Sequence, residues 1–249
     1  MTWRRSLKLF YRSLRYKGNQ GYCGCCENDT FFVELGPWLR DEYICSYCRS
    51  IPRNRALIKT IQLFAPDFKV LNLHESSPGN QLSEHLKRNC KNYSDSQFYP
   101  DVTPGTIHKG FRCENLEQLT FPDNTFDLFI TSDVFEHVMN PDKAFKEIAR
   151  VLKPGGMHIF TMPWYPELSV SRRRAKVDEK GNFVHLEEPI YHGNPVSEEG
   201  SLVTIDWGLD FCNKVFEYSG LSTTIYVEKD RYFGLDAKFP EVFISRKLI

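Results

Sequence analysis

Five of the chain's eight cysteines fall between residues 23 and 48: Cys23, Cys25, Cys26, Cys45 and Cys48. Cys23 and Cys26 form one C-x2-C pair, Cys45 and Cys48 another, and residues 27–44 separate them. Each pair offers two thiolates from one tight turn. Two such turns brought together make a tetrahedral four-sulfur site, which suits zinc. Four thiolates leave no open position for water or substrate. The metal expected here is therefore structural Zn2+, held by Cys23, Cys26, Cys45 and Cys48. Cys25 sits between two of these ligands and can compete with either. The alternative is a reduced, partly buried cluster without metal. Cys90, Cys113 and Cys212 are scattered.

A second set of reactive side chains lies further along. Ser132-Asp133 is followed by Glu136-His137, and His185, Glu187, Glu188 and His192 come later. A histidine titrates near neutrality and can move a proton where geometry allows. Most histidines are instead satisfied structural groups, and each of these carries that alternative. Arg172-Arg173-Arg174 is a local basic run. It reads as a solvated charged face, or else as a contact for an anionic ligand.

The elements that must position these residues follow from pattern. Trp3, Leu7, Phe10 and Leu14 recur at helical spacing among six Lys/Arg in the first 17 residues. That predicts a basic amphipathic helix, which packs on its own domain or lies on an anionic membrane surface. A helix is expected over 53–64, closed by Pro66. Strands are expected over 68–73, 92–98, 126–131, 157–162, 223–227 and 242–245, and helices over 81–88, 142–152 and 206–218. Pro154-Gly155-Gly156 is expected to stop the helix before it. Alternation of this kind implies a parallel sheet covered by helices. Residues 164–205, polar and rich in Pro, Gly and His, form a long excursion of the sort that is usually functional or disordered.

One segment is specific as a set. Phe126-Asp127-Leu128-Phe129-Ile130-Thr131 leads through Ser132-Asp133 to Glu136-His137-Val138, and then to Arg150-Val151-Leu152-Lys153-Pro154-Gly155-Gly156. It resembles the fourth strand, following helix and fifth strand of class I S-adenosylmethionine-dependent methyltransferases of the type 11 kind. The resemblance covers roughly residues 66–163 well and the last forty residues loosely. It implies an α/β, Rossmann-like, mostly parallel seven-stranded sheet with helices on both faces. Residues 1–52 would then be a basic helix and a small zinc-ribbon-like module. Residues 53–249 would be the methyltransferase domain, with 164–205 inserted on the substrate side.

The resemblance also implies a site for S-adenosyl-L-methionine at the carboxyl ends of the strands, where open α/β sheets bind ligands. The first strand would be 70–73, and its loop, with His74, Glu75 and Gly79, would face the methionine part and ribose. Family members usually carry several glycines in this loop, and this chain has Gly79 alone. Asp95 is the carboxylate candidate for the ribose hydroxyls, with Gln97 as runner-up and a solvated turn as the bland alternative for Asp95. Asn115 and Leu116 would meet adenine, although Asn115 also fits an ordinary Asx turn. Ser132 and Asp133 would line the cleft. The reaction implied is in-line displacement at the sulfonium methyl. His192 is the first candidate for a base, with His137 and Asp133 as the other catalytic candidates.

Composition narrows the function classes. The 249 residues carry 32 Lys+Arg and 32 Asp+Glu, a formal net charge of zero, which argues against a dedicated nucleic-acid partner. No Asn-Pro-Pro-Tyr base-flipping motif follows the fourth strand, and no G-x-G-x-x-G follows the first, which disfavours a nicotinamide enzyme. No apolar run approaches the roughly 18 residues of a membrane span. A secretion signal is not expected, so the location expected is cytoplasmic, with a peripheral membrane contact through residues 1–17 as the variant. The expected acceptor is a small molecule or glycan-type compound. The alternative is a catalytically weak, methyltransferase-like binding protein that uses its zinc module for partner contacts.

Overall fold

The computed structural model describes residues 14–178, 180–194 and 197–249. The basic helix expected over 1–17 lies outside these residues except for its last four. Contacts divide the chain into two units: residues up to Val70 with Gly79–Lys91 and Tyr226–Val242, and Leu71–Pro78 with Asn92–Ile225 and Phe243–Ile249. The division is thus more interleaved than a single boundary after residue 52.

The first unit holds a small antiparallel sheet of β1 (Gly18–Cys23), β2 (Asn28–Glu34) and β3 (Tyr43–Cys45). With it go helices α1 (Leu39–Glu42), α2 (Pro52–Phe64) and α3 (Gln81–Asn89). Pro52 starts α2, where a missing N–H costs nothing, and the Asn54 side chain accepts the Ile51 N–H. Arg55 is buried at the centre of this unit. Its guanidinium donates to the carbonyls of Gly234 at 2.8 Å, Tyr43 at 2.8 Å and Ser50, and lies over the Phe32 ring. Backbone carbonyls thus satisfy a buried cation that would otherwise be costly.

The second unit is built on one large sheet. Its strands are β4 (Asn72–Ser76), β5 (Asn92–Gln97), β6 (Ile107–His108), β7 (Phe111–Cys113), β8 (Phe126–Ser132), β9 (Leu152–Thr161), β16 (Ser222–Tyr226) and β17 (Val242–Arg246). Their order is β16-β17-β9-β8-β4-β5-β7-β6. The run from β9 to β7 is parallel, β17 pairs antiparallel with β9, and β6 pairs antiparallel with β7. The sheet therefore has eight strands rather than seven, because β6 folds back on β7 as an edge hairpin. The chain starts in the middle at β4, builds outward through β5 and β7, then crosses to β8. The switch point lies between β4 and β8.

Helix α4 (Pro141–Val151) joins β8 to β9 and packs on α5 (Phe211–Ser219). Ala144, Phe145 and Ile148 share its buried face with Val151. Around them gather Phe135, Phe160, Trp207, Phe211 and Phe243, all fully buried. Truncating such a ring to alanine costs about 3–5 kcal/mol. Five further short strands occupy the excursion: β10 (Arg172–Arg173), β11 (Ala175–Val177), β12 (Phe183–His185), β13 (Tyr191–Asn194) and β14 (Ser197–Leu202), followed by β15 (Ile205–Asp206). They pair as β10 with β15, β11 with β12 and β13 with β14.

Three local expectations change. The first strand is 72–76, not 70–73, because Phe68–Val70 forms a 3-10 turn. Pro154-Gly155-Gly156 lies inside β9, where the register with β8 shifts between Phe126 and Leu128. A Cβ on Gly156 would lie 2.9 Å from the Lys153 carbonyl oxygen, so this bulge needs glycine. Helix α5 starts at Phe211 rather than 206, since Asp206 is taken up by β15.

Candidate functional site

The four paired cysteines converge as their spacing predicts. The Sγ atoms of Cys23, Cys26, Cys45 and Cys48 lie within 4.8 Å of one another. Cys23 and Cys48 are 3.7 Å apart, and Cys26 and Cys45 are 3.9 Å apart. A tetrahedron with Zn–S bonds of about 2.3 Å has edges of about 3.8 Å, so these residues can hold zinc. Ser50 Oγ and Thr30 Oγ1 stand 3.2 Å from Cys23 Sγ and Cys45 Sγ, and the Tyr47 N–H donates to Cys45 Sγ. Donors of this kind stabilise thiolates from the outer shell. Cys25 is not in the four-sulfur group. It is buried, its carbonyl meets His85 and Arg88 from α3, and burial pushes its thiol well up.

In the second unit the residues expected at the cofactor loop separate. His74 and Glu75 belong to β4, not to the loop after it. His74 is wholly buried, with Nδ1 at 2.9 Å from Ser94 Oγ and Nε2 at 2.9 Å from Ser96 Oγ. Phe121, Phe126 and Phe129 surround its ring. Burial, helped by Arg112, pulls its pKa down to about 3. It is a core histidine, enclosed by rings and by the Ser94 and Ser96 hydroxyls. Glu75 points to the other face and accepts from Tyr93 Oη at 2.6 Å. The hydroxyls of β5 let a polar stretch continue as a strand.

The true loop begins at Ser77. This residue takes φ 61° and donates its N–H to the Ser96 carbonyl at 2.8 Å. A left-handed turn thus forms here without the glycine common in the resembling family, at a cost of about 1–2 kcal/mol. Gly79 is exposed with φ 137°, a conformation that favours glycine.

Asp95 pairs with Glu75 across the β4–β5 ladder and receives the Tyr93 hydroxyl at 3.3 Å. It stands two places short of the strand's carboxyl end. Gln97 occupies that end and is buried. Of the two residues expected at the ribose, Gln97 thus stands at the strand's end and Asp95 within the strand. Asn115 accepts the Glu117 N–H at 2.9 Å, an Asx turn, and Leu116 is buried against the main core. Glu114, just before them, is held by Arg112 at 2.6 Å and by the Thr120 N–H.

Ser132 and Asp133 end β8 beside Thr161 of β9. Asp133 adopts φ 53°, donates its N–H to the Thr161 carbonyl and accepts the Thr161 hydroxyl at 2.8 Å. The next turn carries Glu136 and His137. Glu136 is buried, and its backbone carbonyl accepts the Thr204 N–H at 2.7 Å. His137 Nδ1 lies 2.9 Å from the Leu202 carbonyl oxygen. Burial pulls the His137 pKa down to about 4.

The β13–β14 hairpin then brings His192 over this turn. Its ring stands perpendicular to that of His137 with centroids 5.0 Å apart, and its Nδ1 is 3.8 Å from Glu136 Oε1. His137, Asp133 and His192 are thus gathered in one region, and Glu136, not foreseen as a site residue, joins them. His185 does not. It is exposed on the separate β11–β12 hairpin. The arginine run is neither a free charged face nor an open anion site. Arg172 and Arg174 both bind Asp206, at 2.7 and 2.9 Å, and Arg173 donates to the Met139 carbonyl.

Similarity to known proteins agrees with this geometry. Residues 79–160 match the family model of a methyltransferase domain. The matching segment contains the β8 turn, α4 and most of β9. The ubiquinone/menaquinone biosynthesis C-methyltransferase UbiE of Hydrogenovibrio crunogenus is 62% identical over 42 residues, 17% of this chain and 16% of that protein. The ubiquinone biosynthesis O-methyltransferase of Coxiella burnetii is 29% identical over 83 residues, 33% of this chain and 32% of that protein. The chain therefore spans a third or less of these curated relatives. Among solved structures, the YcgJ protein of Bacillus subtilis aligns with a TM-score of 0.50 at 13% identity, over 78% of this chain and 98% of that one. The fold is the Rossmann-like α/β fold of methyltransferases.

Proposed function

We propose that this chain is an S-adenosyl-L-methionine-dependent methyltransferase acting on a small-molecule or saccharide-type acceptor, with a structural zinc ion in its cysteine module. One observation supports the reading above the rest. The segment that matches a methyltransferase domain forms the strand–turn–helix–strand beside the sheet's switch point, where ligands of open α/β sheets bind. The short matches to quinone-pathway methyltransferases support the reaction class and leave the acceptor to be found.

The cofactor supplies an activated methyl group on a sulfonium. The protein has to bind, orient and keep water out. Gln97, at the end of β5, has a side-chain oxygen and amide suited to ribose hydroxyls. The backbone around Asn115 and Leu116 suits the adenine edge, and Ser132 and Asp133 line the space toward the methyl group. His192, with the His137 ring 5.0 Å away, is the candidate to take the proton of an acceptor hydroxyl or amine. A cytoplasmic location is part of the proposal. Among the described residues no helix is long and apolar enough to cross a membrane.

The test is calorimetric titration of zinc-replete protein with S-adenosylhomocysteine, followed by labelled methyl transfer to candidate acceptors. Binding at micromolar concentration, weakened more by Gln97→Ala than by Asp95→Ala, is the expected result. Absence of binding by the unaltered protein would turn the reading toward a binding protein that keeps only the fold.

A further inference from the structure

We infer that Glu136, His137 and His192 form a second metal site, for a divalent ion with nitrogen and oxygen ligands, separate from the four cysteines. One carboxylate oxygen and one ring nitrogen from each histidine lie within 4.8 Å of one another. Glu136 Oε1 is 3.8 Å from His137 Nε2 and 3.8 Å from His192 Nδ1. These separations are too long for hydrogen bonds. They are slightly wider than the roughly 3.0–3.5 Å between ligands that share an ion at bond lengths of about 2.1 Å. Small side-chain rotations close the difference.

The tautomer of His137 points the same way. Its Nδ1 faces the Leu202 carbonyl, which can only accept, so Nδ1 carries the hydrogen. In the neutral ring Nε2 is then a lone pair directed at a carboxylate. A ring N–H held by a backbone carbonyl is also the usual outer-shell support of a metal-binding histidine. Thr204 fixes the turn itself, donating its hydroxyl to the Val138 carbonyl and its N–H to that of Glu136.

Two histidines and one carboxylate leave coordination positions open, as catalytic sites require. Exposure shows where they open. The Glu136 side chain is 2% exposed, that of His137 18% and that of His192 40%. The site is closed behind Glu136 and accessible past His192. The ligand class that suits such open positions is a hydroxyl-bearing acceptor. Its function in methyl transfer rests on the reading above, with the ion replacing His137 and His192 as the device that removes the proton: the ion would lower the hydroxyl pKa, and the proton would pass to solvent. The oxygen lone pair then bonds the methyl carbon, and the carbon–sulfur pair leaves with the neutral thioether.

The test is titration of the zinc-replete protein with Mn2+, and separately with additional Zn2+, by calorimetry. Mn2+ discriminates against thiolate sites, so it reports on the second site. Uptake of one further equivalent, weakened at least about tenfold by His192→Ala and by Glu136→Gln, is expected. S-adenosylhomocysteine is titrated into the same proteins. If it binds all of them alike, lost metal uptake is not misfolding. If it binds none while the metal binds, the methyltransferase reading fails and the metal site stands. Uptake of neither ion by the unaltered protein, or equal uptake by His192→Ala, overturns the site.

Discussion

The Asp127 carboxylate accepts the backbone N–H of Asn72 at 2.9 Å and also holds Lys153 Nζ at 2.8 Å. One side chain thus ties the starts of β4, β8 and β9, the three strands at the switch point. This gives the Phe-Asp pair at the head of β8 a structural reason. Asp127→Ala strands a backbone donor and should lower stability by about 1–3 kcal/mol. Asp127→Asn keeps an acceptor and loses only a partly exposed ion pair, so its loss should stay below about 1 kcal/mol. Urea midpoints with unchanged slopes would separate the two.

Acid should destabilise the second unit through its buried histidines. Burial lowers the His74 pKa from 6.5 to about 3 and that of His158 well below 6.5. Below pH 6.5 the unfolded chain binds protons that the folded one refuses. Stability is therefore full above pH 6.5 and is lost progressively as pH falls toward 3. The His74 share of that loss is about 4 kcal/mol. His74→Gln, uncharged throughout, should flatten the dependence of the urea midpoint over this window. An unchanged slope would show that His74 does not titrate as described.

Asp206 is the anchor of the excursion. It is nearly buried, and both Arg172 and the nearly buried Arg174 close on it. Removing it in Asp206→Ala leaves the Arg174 charge enclosed, and such a change costs about 3–5 kcal/mol. Arg172→Ala, which removes an exposed partner, should cost less than about 1 kcal/mol. Hydrogen exchange at the β10–β15 amides should speed up in the first variant and stay near normal in the second.

The cysteine centre predicts a contrast between neighbours. Cys45→Ser should abolish retention of one zinc equivalent, because a four-thiolate site loses a ligand and its outer-shell donors together. Cys25→Ser should keep the full equivalent, since Cys25 stands outside the group. Metal analysis after dialysis against a mild chelator reads both outcomes, and equal retention by the two variants would remove the assignment.

Much of this architecture was legible in the sequence, where periodicity or spacing is local. The C-x2-C pairs, β5, β8 and α4 fall close to where pattern places them. His74-Glu75-Ser76 read as a loop because they are polar. They form a strand because Ser94, Ser96 and Tyr93 on β5 supply matching hydroxyls, a fact about the neighbour and not about the segment. The candidate site divides the same way. Asp133 and His137 were visible beside a recognisable strand. The place of Glu136 was not, because it depends on a hairpin that returns His192 from far along the chain.

The first unit draws on three stretches of chain, and the last of them is Tyr226–Val242. Arg55 needs the Gly234 carbonyl from that stretch, and Lys59 needs Glu228, 2.5 Å away. A ribosome delivers those residues only after most strands of the large sheet have emerged. The cysteines, translated early, therefore wait through most of synthesis before their unit can close around them. Completion of the cysteine unit and closure of the sheet by β17 therefore fall in the same late interval of synthesis.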